Sequence, residues 1–517
     1  MMALKRRTIS LLVTALAIMI SLQVYANASA QRLPGVPYPE QRIAEGHVVI
    51  VYHTEAQNLD PRRRAGFQDE RITTLLYSSL MKIDSNGELY GDLAEEWAFP
   101  DPTTLTFKIR EDVLFHDGQP LTAGDVKYTL DTVRDPEFAS PLRDQFAVIT
   151  EVEVVGEHEL TLHLANPTGA LLNSLTLGIV PKHVDGQQLN SNPVGSGPFA
   201  FKLWRAQQFI ELEAFNGYYG GELGIKRLTI IPVRENTTKV QMLETGEADV
   251  VWTGVSAQAA RLAAGGVYGV QELPGSIEYI HLNLREDYPW NDVRVRQALL
   301  HALDQDAMHH VLYSGFAQKG NNPLIAAMPM FETDTPYYDY DPERAKELLA
   351  EAGYANGFTV DMIVVETAIY ELVQHYWKEI GVTLNILQRE VPERSGATFT
   401  GEYEMVGSPF GIRPDPDALL HNLFHSDSMV PNNGRNNGYV NARVDELLDL
   451  GRFTPDQEAR RAYYSEVQKI LTEEVPMLVL GYPSSLLLYN PYLEDVRYGT
   501  YTLFLDTALN ARWNAPQ

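Results

Sequence analysis

The 517-residue chain is predicted to be a mixed α/β protein of two or three domains, on three observations. It is longer than one ordinary hydrophobic core encloses. Strand-like and helix-like apolar patterns alternate irregularly, with no repeat of 20–50 residues. Hydrophobic residues make up 44% and charged residues 21%, the balance of a soluble globular chain.

The first thirty residues stand apart. Lys5, Arg6 and Arg7 precede an apolar run over 9–22, and Ala28-Ser29-Ala30 puts small residues before Gln31. A basic head, a short apolar middle and an A-x-A site predict a secretory leader cleaved near Ala30. Arg6-Arg7 leaves Sec and twin-arginine export both open. The expected compartment is a periplasm. With no cysteine anywhere, thiol catalysis, disulfides, thiolate metal sites and a lipidated N-terminal cysteine drop out. The formal charge is −27, and losing the three leader cations takes it near −30. Such a charge disfavours nucleic acid and anionic lipid. No later segment carries the eighteen or so uninterrupted apolar residues of a membrane span.

Elements follow in order. Val48-Val49-Ile50-Val51-Tyr52 predicts a strand, closed by the turn Asn58-Leu59-Asp60-Pro61. Residues 71–81 predict a helix with Ile72, Leu75, Leu76 and Leu80 on one face. A strand is expected over 105–109, then a turn at Asp117-Gly118-Gln119-Pro120 and a helix capped by Thr122. Runs 152–155 and 160–164 predict a hairpin. Strands at 226–233 and 248–252 flank a helix over 237–246, and Asn236-Thr237-Thr238 is expected to cap it rather than carry sugar. Helices are expected over 292–303, 342–352, 442–450 and 455–474, with Gly353 and Gly451 stopping two of them.

Catalytic patterns are sparse. There is no G-x-S-x-G elbow. Gly195-Ser196-Gly197-Pro198 lacks the Gly-Lys-Ser/Thr of a phosphate loop, and Pro198 has no N–H to offer one; the stretch reads as a tight turn entering a strand. His421 and His425 would share a helix face, but Asn422 replaces the glutamate of a zinc hydrolase motif. With Asp415 and Asp417 nearby, capping or surface roles account for these residues, and no metal or other cofactor is expected. His309-His310 reads as a solvated helix face. The 27 tyrosines suit either the wrapping of a partly polar solute or an ordinary core and rim.

Several long stretches together resemble the large extracytoplasmic solute-binding proteins, family 5, of peptide and nickel ABC transporters: LYGDLAEEWAFPDPTTLTFKIREDVLFHDGQPLTAGDVKYTL, the VGSGPF turn with its later NGYYGG, ETGEADVVW, NDVRVRQALLHALDQ, YDPERAKELLAEAGY, PDPDALLHNLFHSDS and NARVDELLD. The resemblance covers nearly all of the chain after the leader. It implies a type II periplasmic binding protein fold: two lobes, a hinge and an inserted domain. The implied boundaries are 1–30 for the signal peptide; 31–68, 193–278 and 491–517 for lobe one; 69–192 for the insert; and 279–490 for lobe two. Crossings near 279–284 and Tyr489 would form the hinge.

The same resemblance implies a non-enzymatic role: capturing a peptide or related small polar solute and delivering it to an inner-membrane permease. A sensor or peptide chaperone is the alternative, and a hydrolase using Asp415, Asp417 and His421 the less favoured one. A monomer is expected. Ala65, Gly66 and Phe67 are implied to line the cleft. The family's Ala-Ser-Pro-Tyr loop here reads Ala139-Ser140-Pro141-Leu142, so Leu142 stands for the tyrosine and Arg143 follows. Where peptide binders have Trp-x-x-Asp, whose carboxylate meets the peptide ammonium, this chain has Pro409, Phe410, Gly411 and Ile412, then Arg413. A buried ammonium without a counter-charge costs several kcal/mol. The expected ligand therefore carries an acidic or neutral polar group, with Arg143 and Arg413 as candidate anion holders.

Overall fold

The computed structural model describes residues 36–64, 66–84, 87–413, 415–429, 437–499 and 505–514. The expected leader and Ala65 lie outside them, as does the side chain of Phe67.

Strand β1 (His47–Tyr52) leads through a turn at Pro61–Arg63 into helix α1 (Phe67–Leu76). An antiparallel sheet of β2 (Ala94–Asp101), β3 (Thr104–Ile109), β4 (Ile149–Gly156) and β5 (Glu159–Leu164) follows, in the order β2-β3-β5-β4. Helix α2 (Ala123–Arg134) packs on it, and short α3 (Leu171–Ser174) ends this unit. The chain then forms β6 (Phe199–Arg205), β7 (Phe209–Ala214), β8 (Arg227–Pro232), α4 (Asn236–Thr245), β9 (Val250–Gly254), β10 (Gly269–Pro274) and β11 (Ser276–Leu282). After them come α5 (Val293–His301), α6 (Gln305–Tyr313), α7 (Pro342–Glu351), β12 (Thr359–Val364), β13 (Thr383–Gln388), α8 (Val391–Thr400) and β14 (Met405–Gly411). Helices α9 (Asp417–Phe424), α10 (Ala442–Phe453) and α11 (Gln457–Glu474) precede the long strand β15 (Met477–Tyr489).

The main sheet runs β13-β12-β14-β11-β15-β9-β1-β8-β7-β6. β1 reads as an unbroken β-branched run because it is parallel to both neighbours, β8 and β9, and buried on both faces. Around it Val48, Ile50, Leu228 and Phe199 form one core. β12 is likewise parallel to β13 and β14, over a second core containing Ile280, Leu299, Val360 and Trp377. The four-stranded sheet has its own core of Leu105, Phe107, Val126 and Leu160. Burying each such side chain contributes roughly 1.5–3 kcal/mol.

β15 joins the two halves of the main sheet, pairing with β11 near its start and with β9 near its end. Between these pairings β11 and β15 shift register at Glu278/Tyr279, opposite Gly481. Gly481 has φ +148°, and a Cβ there would meet His309 Nε2 at 2.1 Å, so only glycine fits.

Four local expectations are corrected. The helix expected over 71–81 starts at Phe67 and stops at Leu76, because the Leu76 carbonyl accepts the Gly197 N–H (2.9 Å). Leu80 joins the core of the four-stranded unit instead. Gly451 does not stop its helix: α10 continues to Phe453, and the glycine lets α11 approach, since a Cβ there would meet the Tyr464 ring at 2.6 Å. Asn236 does not cap α4 by a side-chain bond; its Oδ1 accepts Lys239 Nζ (3.0 Å) and Gly254 N (3.3 Å). His309 is buried, with Nε2 2.9 Å from the Leu480 carbonyl oxygen, whereas His310 is exposed.

The 195–198 stretch is a turn into β6, as read. Gly195 N–H donates to His116 Nδ1 (3.2 Å), which sets the ring to donate from Nε2 to the Gly197 carbonyl (3.1 Å). Burial pushes that imidazole down to about 4, so it stays neutral in this role.

Candidate functional site

In α/β sheets, ligands sit beyond the carboxyl ends of parallel strands, because the loops and helix N-termini converge there. A cavity of about 830 Å³ occupies that place beyond β1 and β9, a volume suited to a small solute. Its walls come from the loop after β1 (His53 to Gln57), the start of α1, the start of α4, Trp252 and Gly254 at the end of β9, and Ser485 of the crossing strand β15.

Arg71, Arg234 and Lys239 bring three positive charges to this cavity, against the carboxylates of Glu55 and Asp69. Glu55 is already engaged by the Trp204 indole N–H (2.8 Å) and the Gln207 N–H (2.7 Å). Asp69 accepts the Gln57 N–H at 2.7 Å. Arg71 lies against the Trp252 ring, its guanidinium carbon 3.9 Å from the centroid, and donates from Nε to Tyr498 Oη (2.9 Å). Lys239 is 1% exposed, and its Nζ reaches the Asn236 side chain and the Trp252 carbonyl (3.2 Å). Burial, and then the charge of Arg71, pulls the Lys239 ammonium down to about 8. His53 is lowered by burial first and by Lys239 second.

On the other half of the sheet, the carboxyl end of β14 lies beside β11. Phe410 stacks on Tyr279 with ring centroids 4.4 Å apart and planes 4° from parallel. Opposite Pro409, Glu278 is pushed up to about 7 by burial first and by Glu366 second. Arg394 of α8 donates to Ser408 Oγ, while its buried Nε finds no acceptor among the described residues.

The residues named from the sequence scatter over this geometry. Gly66 lines the cavity. Leu142 is buried in the core of the four-stranded unit. Arg143 is exposed and donates to the Arg134 carbonyl (3.3 Å). Pro409, Phe410 and Gly411 pair with β11; Ile412 is half-buried against a neighbouring core, and Arg413 is exposed. Arg71, Lys239 and Trp252 were not foreseen. Trp252 lies within β9, while Arg71 and Lys239 sit on the helices that follow β1 and β8, positions that carry no distinct sequence signal.

Asp415, Asp417 and His421, the residues of the hydrolase alternative, are engaged in other contacts. Arg460, fully buried, binds both oxygens of Asp415 at 2.8 and 2.9 Å, and Arg452 binds Asp417 at 3.0 Å. His421 and His425 stack at 4.1 Å beside Asp449, and ligand atoms of the three lie within 4.8 Å of one another. The Asp427 N–H donates to His425 Nδ1 (3.0 Å), so Nε2 carries the proton and turns it towards Asp449 (3.5 Å). That tautomer withholds the lone pair a metal would need at Nε2. Burial, then Arg452, pushes His421 down to about 3.

The profile of the bacterial extracellular solute-binding proteins, family 5 middle, matches residues 88–430. The chain is 27% identical over 455 residues to the glutathione-binding protein GsiB of Pectobacterium atrosepticum, covering 84% of this chain and 88% of that protein. To GsiB of Salmonella typhimurium it is 27% identical over 460 residues, covering 85% and 89%. Its fold is similar to that of HbpA2 from Haemophilus parasuis (TM-score 0.81, 23% identity, 90% of this chain and 99% of that one). It is also similar to the periplasmic binding protein DppA from Helicobacter pylori in complex with the peptide STSA (TM-score 0.75, 24% identity, 92% and 99%).

Proposed function

We propose, since the chain belongs to the bacterial extracellular solute-binding proteins of family 5, that it captures a small polar solute between two lobes and delivers it to an inner-membrane ABC permease. The observation that carries this reading is the family match across 88–430, joined to a cavity at the carboxyl ends of β1 and β9 and walled partly by the crossing strand. In this reading lobe one comprises 31–68, 193–278 and 491–517, the insert 69–192, and lobe two 279–490. The protein works as a periplasmic monomer once its leader is cleaved near Ala30. It changes no bond in its solute. Among the described residues no helix is long and apolar enough to cross a membrane.

The solute is a short peptide or a peptide-like conjugate, as the glutathione-binding relatives suggest. Recognition through a free ammonium at the position matching the family's aspartate is not part of the proposal, because Ile412 there is apolar and half-buried. Thermal unfolding against a panel of di- and tripeptides, glutathione and nickel–histidine tests the reading. A true ligand at a hundred times its Kd adds about 2.7 kcal/mol and raises Tm. A panel in which no solute raises Tm would contradict it.

A further inference from the structure

Two buried cations line the cavity, and among the described residues neither forms an ion pair; the one carboxylate that acts on Lys239, Glu235, lies beyond ion-pair distance. Arg71 is 6% exposed and Lys239 1%. Among the described residues Arg71 donates from Nε to the Tyr498 hydroxyl, and its Nη nitrogens find no acceptor. The lysine ammonium meets neutral acceptors only, an amide oxygen, a backbone carbonyl and the His53 ring. Arg234, exposed at the rim, likewise forms no ion pair among the described residues.

A buried charge is costly unless it is paired, and the Arg71 Nη donors are left facing the cavity. The chain has carboxylates in excess, with 68 acidic residues against 41 Lys and Arg, so the missing counter-charge is not a matter of supply. The two cavity carboxylates are turned to other donors. Helices α1 and α4 both begin at the cavity, and neither has a side-chain cap on its first N–H groups. Their positive ends add to the same field. Trp252, packed under Arg71, has an indole N–H without an acceptor among the described residues.

We propose that Arg71, Lys239 and Arg234 form an oxyanion subsite that seats a carboxylate or phosphate group of the solute on the first half of the sheet. The inference rests on the solute-binding reading and narrows its solute class to anions. Arg71 offers a planar fork to two oxygens, and Lys239 a point charge. Arg143 and Arg413 are not needed for this seat.

Calorimetric titration of the full chain lacking residues 1–30 with succinate, inorganic phosphate and neutral succinamide, at constant ionic strength, tests it. Saturable millimolar binding of succinate or phosphate is expected, with none for succinamide; the stronger of the two anions tells carboxylate from phosphate. Arg71→Gln and Lys239→Gln should each weaken binding at least about tenfold. Arg234→Gln, at an exposed position that leaves the fold intact, should weaken it by a smaller factor and keeps the test decisive if the buried variants do not fold. No saturable heat up to tens of millimolar, or equal binding by wild type and Arg234→Gln together with either folded buried variant, would overturn the subsite. Peptides that raise Tm without any anion binding would leave the transport reading standing and the subsite refuted; anion binding without any captured solute would do the reverse.

Discussion

Replacing Asn173 by alanine should weaken solute binding without unfolding the protein. Asn173 sits on α3, whose neighbours Leu171 and Leu172 are anchored in the core of the four-stranded unit. Its Nδ2 donates to Asp415 Oδ2 at 2.7 Å, 242 residues away, at the threshold of α9. Beside it the Gly169 N–H donates to the Arg452 carbonyl (3.3 Å). With the proposed boundaries these bonds join the insert to lobe two, so hinge opening between the two would break them. A hydrogen bond to a charged group contributes roughly 1.5–3 kcal/mol. Losing about 2 kcal/mol of closed-state stability shifts the closed-to-open ratio about 30-fold. If the empty protein is mostly open, the apparent Kd rises by nearly that factor. The assay is calorimetric titration of wild type and Asn173→Ala with the solute found by thermal unfolding, alongside the Tm of each empty protein. Asp415 keeps both bonds to Arg460, so the empty protein's Tm should hardly move. Unchanged affinity, or a loss of affinity matched by a large fall in Tm, would refute the latch.

Further expectations concern the same framework. Asp415→Ala strands the buried Arg460 charge and should cost about 3–5 kcal/mol in denaturant unfolding, unlike Asn173→Ala. Gly195→Ala would place a Cβ 1.9 Å from the Leu76 carbonyl oxygen and Gly197→Ala one 2.6 Å from the Leu75 carbonyl oxygen, so both should lower Tm sharply. Glu278, raised from 4.5 to about 7, holds its proton better folded than unfolded. Its contribution is full below pH 4.5 and is lost as pH rises through 7, on the order of 3 kcal/mol; Glu278→Gln should flatten the Tm profile over that window. Lys239, lowered to about 8, should make affinity for succinate or phosphate fall as pH rises through 8.

Much of the fold is legible in local chemistry. The β-branched run at Val48 marks a strand buried on both faces, and the Thr122–Asp125 pair forms the reciprocal cap that starts α2. Local signals fail where a tertiary contact decides. Leu80 keeps helical spacing with Ile72 and Leu76, yet Gly197 takes the carbonyl that would have carried the helix on. Gly451 looks like a stop and is instead a notch for Tyr464. The site was less legible for the same reason. Gly66 was foreseen, but Arg71 and Lys239 are far apart in the chain and meet only because β1, β8 and β9 run parallel. An arginine on an apparently amphipathic helix carries no mark that its counter-charge will be missing. Arg143 and Arg413 stood out in sequence because they follow named motifs, and both side chains are exposed.

The central claim is that this chain encloses a solute and leaves it unchanged. Native mass spectrometry of the protein secreted to a periplasm and purified without denaturation, compared with the same protein unfolded, addresses it directly. The account predicts a discrete extra mass that disappears on unfolding, with the released solute intact and carrying a carboxylate or phosphate. A protein of bare mass that also takes up no solute from a periplasmic extract, or one that releases a cleaved product, would contradict it.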